Sequence, residues 1–156
     1  MTAHNAPTKH GNEAIEVHNA VTDLCEKGQL ERMGEFVQHG SVSTLAHVVR
    51  VAQASLKMAG ALKLNVSRQE LVRGALLHDY YLYDWHTTSN KGHAVNHPLI
   101  AAENAQRDYG LTPKERNIIE AHMWPLPPNR VPKSKEAWLV CAADKWCSLG
   151  ETLFKR

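Results

Sequence analysis

The sequence predicts an all-α fold, and three observations carry that prediction. Apolar residues recur at helical spacing through several runs. Helix-start and helix-stop residues bracket those runs. Stretches that read as strands are nearly absent. A length of 156 residues with 43% hydrophobic composition suits one domain with a real core.

Residues 1–11 are polar and read as a flexible N-terminus, which leaves 12–156 as the domain. Residues 12–27 read as a helix closed by Gly28, a good residue just past a helix end. A short helix follows over 30–37 and stops before His39-Gly40. The stretch 43–61 is apolar nearly all round, so it should run through the core. Ser67-x-x-Glu70 has the form of a capping box and starts the helix that leads to His78. Residues 80–96 read as an irregular loop, first aromatic and then rich in Thr, Ser, Asn and Gly. Pro98, just after His97, marks the next helix start, and Gly110 closes that helix after Tyr109. Thr112-Pro113-Lys114-Glu115 combines an N-cap, a first-turn proline and a capping box, and opens a helix through Ala121. Residues 124–132 hold four prolines and cannot be regular. Ser134 then caps a last helix to about Leu153. The expected architecture is a single all-α helical bundle, its loops gathered where the histidines converge.

A formal charge of +2 is too small to name nucleic acid or an anionic membrane as the main partner. No apolar run approaches a membrane span, and the N-terminus does not read as a signal peptide. Cys25, Cys141 and Cys147 form no Cys-x-x-Cys pair, which reads as reduced thiols in a cytoplasmic protein. Ten histidines is the unusual count, and position has to sort them.

His78-Asp79 stands out among them. It ends the apolar run 71–77, where two adjacent polar side chains are costly to bury. A divalent metal is one of the few partners that makes such burial favourable. Taken singly, the other candidates have ordinary readings. His47 suits a satisfied core histidine, and Asp144 a salt bridge, with Arg50 as a candidate partner. His97 suits a capping or surface residue, and His122 a half-buried packing residue.

In chain order, His47, His78-Asp79 and Asp144 resemble the H…HD…D motif of the HD-domain superfamily. The flanks 47–52, 75–79 and 142–145 match as well, and the likeness covers roughly residues 39–150. The resemblance implies an all-α metal-dependent enzyme, most often a phosphohydrolase, in which these four residues bind one divalent ion. His97 and His122 stand where several HD subfamilies place two further histidines for a second ion. Asp79 would then bridge the pair, a set similar to that of HD hydrolases of dinucleoside polyphosphates. The segments 80–84, 122–126 and 144–147 resemble a small bacterial HD subfamily.

Mixed histidine and carboxylate donors suit iron, manganese, zinc or nickel better than magnesium. Two such ions would activate a bound water as nucleophile and polarise a phosphoryl oxygen. No Walker loop, nucleophile elbow or Cys/His pair suggests another route. The expected substrate is a small phosphorylated molecule, a nucleotide above all. Lys145, Arg130 and Lys133 are the candidate phosphate holders, with His86 as a further substrate contact; Lys135 reads as surface charge. His86 and His93 could contact substrate but read better as surface histidines, His39 reads as facing the cleft, and Arg50 as an anchor for a ligating carboxylate. The aromatics at 80–85 could stack a base but read better as packing. HD proteins usually carry a lysine soon after the HD pair, and this chain has none there. The competing readings are an HD-type mixed-valent di-iron oxygenase and a non-catalytic nucleotide-binding module. A homodimer is also compatible with the sequence.

Overall fold

A computed structural model describes residues 9–87 and 92–154. Helix α1 spans Lys9–Lys27, and a short 3-10 turn covers Leu30–Glu35. Strands β1 (Val37–His39) and β2 (Val42–Ser43) form an antiparallel ribbon. Five further helices follow: α2 Thr44–Ala61, α3 Arg68–Leu77, α4 His93–Tyr109, α5 Pro113–Ala121 and α6 Lys135–Phe154. The fold is all-α apart from that ribbon. No helix among the described residues is long and apolar enough to cross a membrane.

Helix α2 is the axle of the bundle. It packs on α3 and α6, which fits its apolar circumference, and buries Val48, Val51, Ala52 and Leu56 completely. Ser43 caps it, its hydroxyl accepting the Ala46 N–H at 3.1 Å. Helices α3 and α5 approach closely at Gly74, where a Cβ would stand 2.7 Å from the Ile118 side chain. That contact sets the spacing of the two helix ends that carry His78 and His122.

Several boundaries differ from the sequence reading. Helix α1 begins by Lys9, so residues 9–11 are helical; residues 1–8 of the expected flexible N-terminus lie outside the described residues. Gly28 does follow α1, but what demands glycine there is Tyr109, whose ring atoms would lie 2.4 Å from a Cβ. The 30–37 helix is a six-residue 3-10 turn that runs into the ribbon. The Ser67 capping box does not form. Ser67 donates its N–H to Glu136 Oε1 (2.8 Å), while Glu70 accepts from Thr112 Oγ1 (2.7 Å). The Thr112 box is complete, and Ser134 caps α6 through the Ala137 N–H at 3.1 Å. Helix α4 starts at His93, a full turn before His97, so Pro98 lies inside it rather than at its first position.

Candidate metal centre

Helices α3 and α5 end in the same local device. The last carbonyls of a helix have no partner within it. His78, capping α3, places Nδ1 2.6 Å from the Ala75 carbonyl, and His122, capping α5, places Nδ1 2.7 Å from that of Ile119. His97, in α4, does likewise with the His93 carbonyl at 2.8 Å. A carbonyl only accepts, so each Nδ1 must carry the proton. His47, in α2, points Nδ1 at the Glu151 carboxylate, 2.8 Å away. All four imidazoles therefore turn Nε2 into the site, the arrangement that metal-ligating histidines take when a backbone or carboxylate group holds the other nitrogen.

Those nitrogens meet around two carboxylates. Asp79 Oδ2 lies 3.6 Å from His47 Nε2 and 3.3 Å from His78 Nε2. Its other oxygen, Oδ1, lies 3.3 Å from His97 Nε2 and 3.4 Å from His122 Nε2. Asp144 Oδ1 closes the first group, 2.9 Å from His47 Nε2 and 3.4 Å from His78 Nε2. The result is two clusters that can each hold an ion, His47-His78-Asp79-Asp144 and Asp79-His97-His122, with Asp79 in both and every member buried.

These residues fit metal. His78 Nε2 and Asp79 Oδ1 are buried with no hydrogen-bond partner, a costly state for polar atoms unless a cation faces them. His97 Nε2 and His122 Nε2 stand 2.9 Å apart, two lone pairs face to face. Two donors to one ion, each about 2.1 Å from it, sit roughly 3 Å apart. Burial and the neighbouring His78 push the His122 pKa down to about 3, so a proton does not relieve that contact at neutral pH.

The first cluster behaves oppositely. Burial pulls the His47 pKa down, but the hydrogen bonds that its ring donates to Asp144 and Glu151 outweigh it and carry it up to about 9. His78 is likewise depressed by burial and raised further by Asp79, ending well above the ordinary histidine value. Burial raises the pKa of both aspartates, and the imidazoles around them reverse this, leaving both well below the carboxylate range. Without metal, protons on His47 and His78 occupy the charge position that an ion takes.

Two buried residues that the sequence reading passed over hold the ligands in place. Glu151, 3% exposed, accepts from His47 with one oxygen and from Arg50 Nη1 (3.2 Å) with the other. Arg50 thus anchors a carboxylate, but the carboxylate is Glu151 rather than Asp144. The spacing Asp144, Ser148, Glu151 on one helix face is the signal that could have found it. Gln38, on β1, donates Nε2–H to Asp79 Oδ2 (2.9 Å) while its own oxygen accepts the Tyr81 hydroxyl (2.6 Å). Replacing Glu151 with Gln keeps an acceptor on His47 but removes the charge. It is expected to weaken metal affinity about tenfold, read by titrating stripped protein with manganese; unchanged affinity would give Glu151 a purely structural role.

The clusters form the floor of a cleft of about 360 Å³ whose walls include His39, Trp85, His93, Met123 and Lys145. His93 stacks on His97 at 4.5 Å, and Trp85 stacks on His93 at 5.1 Å. Lys145 lies in the lining, its Nζ 3.1 Å from the His122 carbonyl. The other proposed substrate contacts do not line the cleft. Arg130 is bonded to the Val95 carbonyl at 2.6 Å, and Lys133 lines a separate groove with Lys114 and Lys135. His86 packs its ring on Trp85, 3.8 Å between centroids, and its backbone N–H goes to Asp84. His93, read as a surface histidine, is a wall residue. Tyr80 and Tyr81 are buried packing residues, Tyr80 donating its hydroxyl to Asp108 at 2.7 Å.

Comparison with known proteins agrees with this geometry. No curated protein and no solved structure matches the chain. The family model described as "HD domain" matches residues 44–148, a span that runs from the start of α2, three residues before His47, to Ser148, one turn past Asp144. The chain belongs to the HD domain family.

Proposed function

We propose that this protein is a phosphohydrolase that uses two divalent ions to hydrolyse a phosphoester or phosphoanhydride of a small molecule, a nucleotide being the foremost class. The observation that carries this reading is the division of Asp79 between the two clusters, one oxygen to each. A buried carboxylate shared in this way is the arrangement that two-ion phosphoryl chemistry needs. When bound, the ions, of the iron, manganese, zinc or nickel type, would supply water activation and charge neutralisation at phosphorus.

The chain's own residues orient the reaction. Gln38 and Tyr81 hold Asp79 in one rotamer, so its two oxygens keep separate directions. Glu151 and the helix-end carbonyls hold the four imidazoles as Nε2 donors. Lys145, at the cleft edge, supplies positive charge for a phosphoryl oxygen. Trp85 and Met123 narrow the opening and limit water around the substrate.

The test is metal analysis of protein purified without added metal, followed by a phosphate-release screen over nucleotides with manganese or ferrous iron. About two ions per chain and metal-dependent phosphate release are expected. Dioxygen consumption by iron-loaded protein, with no phosphate released from any substrate, would replace this reading with an oxygenase.

A further inference from the structure

Charge is scarce in the cleft. Among the described residues that line the cleft Lys145 is the one lysine, and there is no arginine. Arg130 is committed to the Val95 carbonyl, while Lys133 and Lys135 face the groove at the start of α6. One phosphoryl group on the floor would meet the candidate ions and Lys145. A second phosphate beyond it would face a wall of His39, Trp85, His93, Ala94 and Met123, where its oxygens would lose water and meet no described lysine or arginine. Sites built for polyphosphates supply several cationic or backbone donors along the chain of phosphates.

Space points the same way. A volume of about 360 Å³ is near the small end for ligand sites, which run from roughly 300 to 1,000 Å³. It matches one phosphoryl group and a compact organic part. The wall facing the organic part sets Trp85, Ala94 and Met123 beside His39 and His93, and one of its donors has no partner. The indole Nε1–H of Trp85 is buried and has no acceptor among the described residues. Buried donors without partners are costly, so an acceptor on the bound molecule would satisfy it.

Taking the phosphohydrolase reading as its basis, we infer that the substrate is a phosphomonoester, one phosphoryl group on a compact apolar or aromatic alcohol bearing a hydrogen-bond acceptor, and that Trp85 selects that alcohol. Polyphosphates and dinucleoside polyphosphates are excluded by the same wall.

The test uses manganese-loaded full-length protein with two kinds of probe. AMP and ADP serve as substrates; phenylphosphonate and methylphosphonate serve as ligands that cannot be hydrolysed. AMP is expected to exceed ADP at least about tenfold in kcat/KM, although ADP carries the more labile bond. Phenylphosphonate should bind at least about tenfold tighter than methylphosphonate, within the range an apolar pocket can discriminate. In Trp85→Ala that gap should shrink to about threefold or less, and the loss on AMP should fall in KM rather than kcat. Preference for ADP, or an aryl preference untouched by Trp85→Ala, would overturn the inference while leaving the hydrolase reading standing. Trp85-dependent phenylphosphonate binding with no phosphate released from any substrate would overturn the hydrolase reading and keep the selectivity. Absence of binding by either phosphonate would overturn the inference, and absence of phosphate release from every substrate in addition would remove both.

Discussion

Asp79→Ala is expected to empty both metal positions at once, whereas His122→Ala should empty one. The difference follows from geometry. Asp79 faces His47 and His78 with Oδ2, and His97 and His122 with Oδ1. Its removal deprives both clusters of a carboxylate and leaves four imidazoles to share one remaining charge, that of Asp144. His122 belongs to the second cluster alone, and the first keeps all of its donors when His122 is lost. Phosphate release by Asp79→Ala should fall by at least roughly 10³-fold, on the order of 4 kcal/mol of transition-state stabilisation. Elemental analysis should give close to no bound metal in Asp79→Ala and about one ion per chain in His122→Ala. Asp79→Asn controls for folding, because it keeps the side chain's shape and its acceptor toward Gln38. Equal metal content in the Asp79 and His122 variants would show that the two clusters are not joined through Asp79.

The buried His/Asp cluster was legible because its polar side chains interrupt apolar helical patterns at places where burial is expensive. His78-Asp79 after 71–77 and Asp144 on the stripe of Val140 and Cys141 announce themselves in this way. His97 and His122 were weaker signals alone, and gained weight only from their order along the chain.

What the sequence hid is the support around the ligands. Gln38 sits on a strand of three residues paired with one of two, too short for any alternation to show. Its role also depends on Tyr81, 43 positions away, and no local pattern encodes that pairing. The start of α4 was misplaced for a related reason. Pro98 was taken as a first-turn proline, yet Gly92 precedes the helix and His93 begins it. Of the three candidate phosphate holders, Lys145 lines the cleft and Arg130 and Lys133 do not, since surface lysines and arginines carry no periodic mark of which groove they face. Arg130 and Lys133 follow His122 closely in sequence and still turn away from the cleft.

Stripping the metal is expected to cost the protein much of its thermal stability, and the cost should grow with pH. An ion bound only by the folded state stabilises it by about 4 kcal/mol at a thousandfold excess over its Kd. For a chain of this size each kcal/mol moves Tm by roughly 2–4 °C, so chelation should lower Tm by about 8–16 °C per ion lost. The pH dependence comes from the first cluster. His47 has a folded-state pKa of about 9 against an ordinary 6.5, and His78 is raised in the same direction. Their protonated forms stabilise the stripped protein fully below pH 6.5, and that contribution is lost as pH rises through about 9. Asp79 and Asp144 are depressed, so what they contribute is present above the ordinary carboxylate range and lost on acidification. The loaded protein responds the other way between pH 6.5 and 9, because ions and protons compete for the same nitrogens and binding tightens as the protons leave. The Tm difference between loaded and stripped protein should therefore widen steadily across that interval. A difference that narrows with rising pH would mean that the stabilising ions do not displace protons from His47 and His78, and would place them elsewhere in the fold.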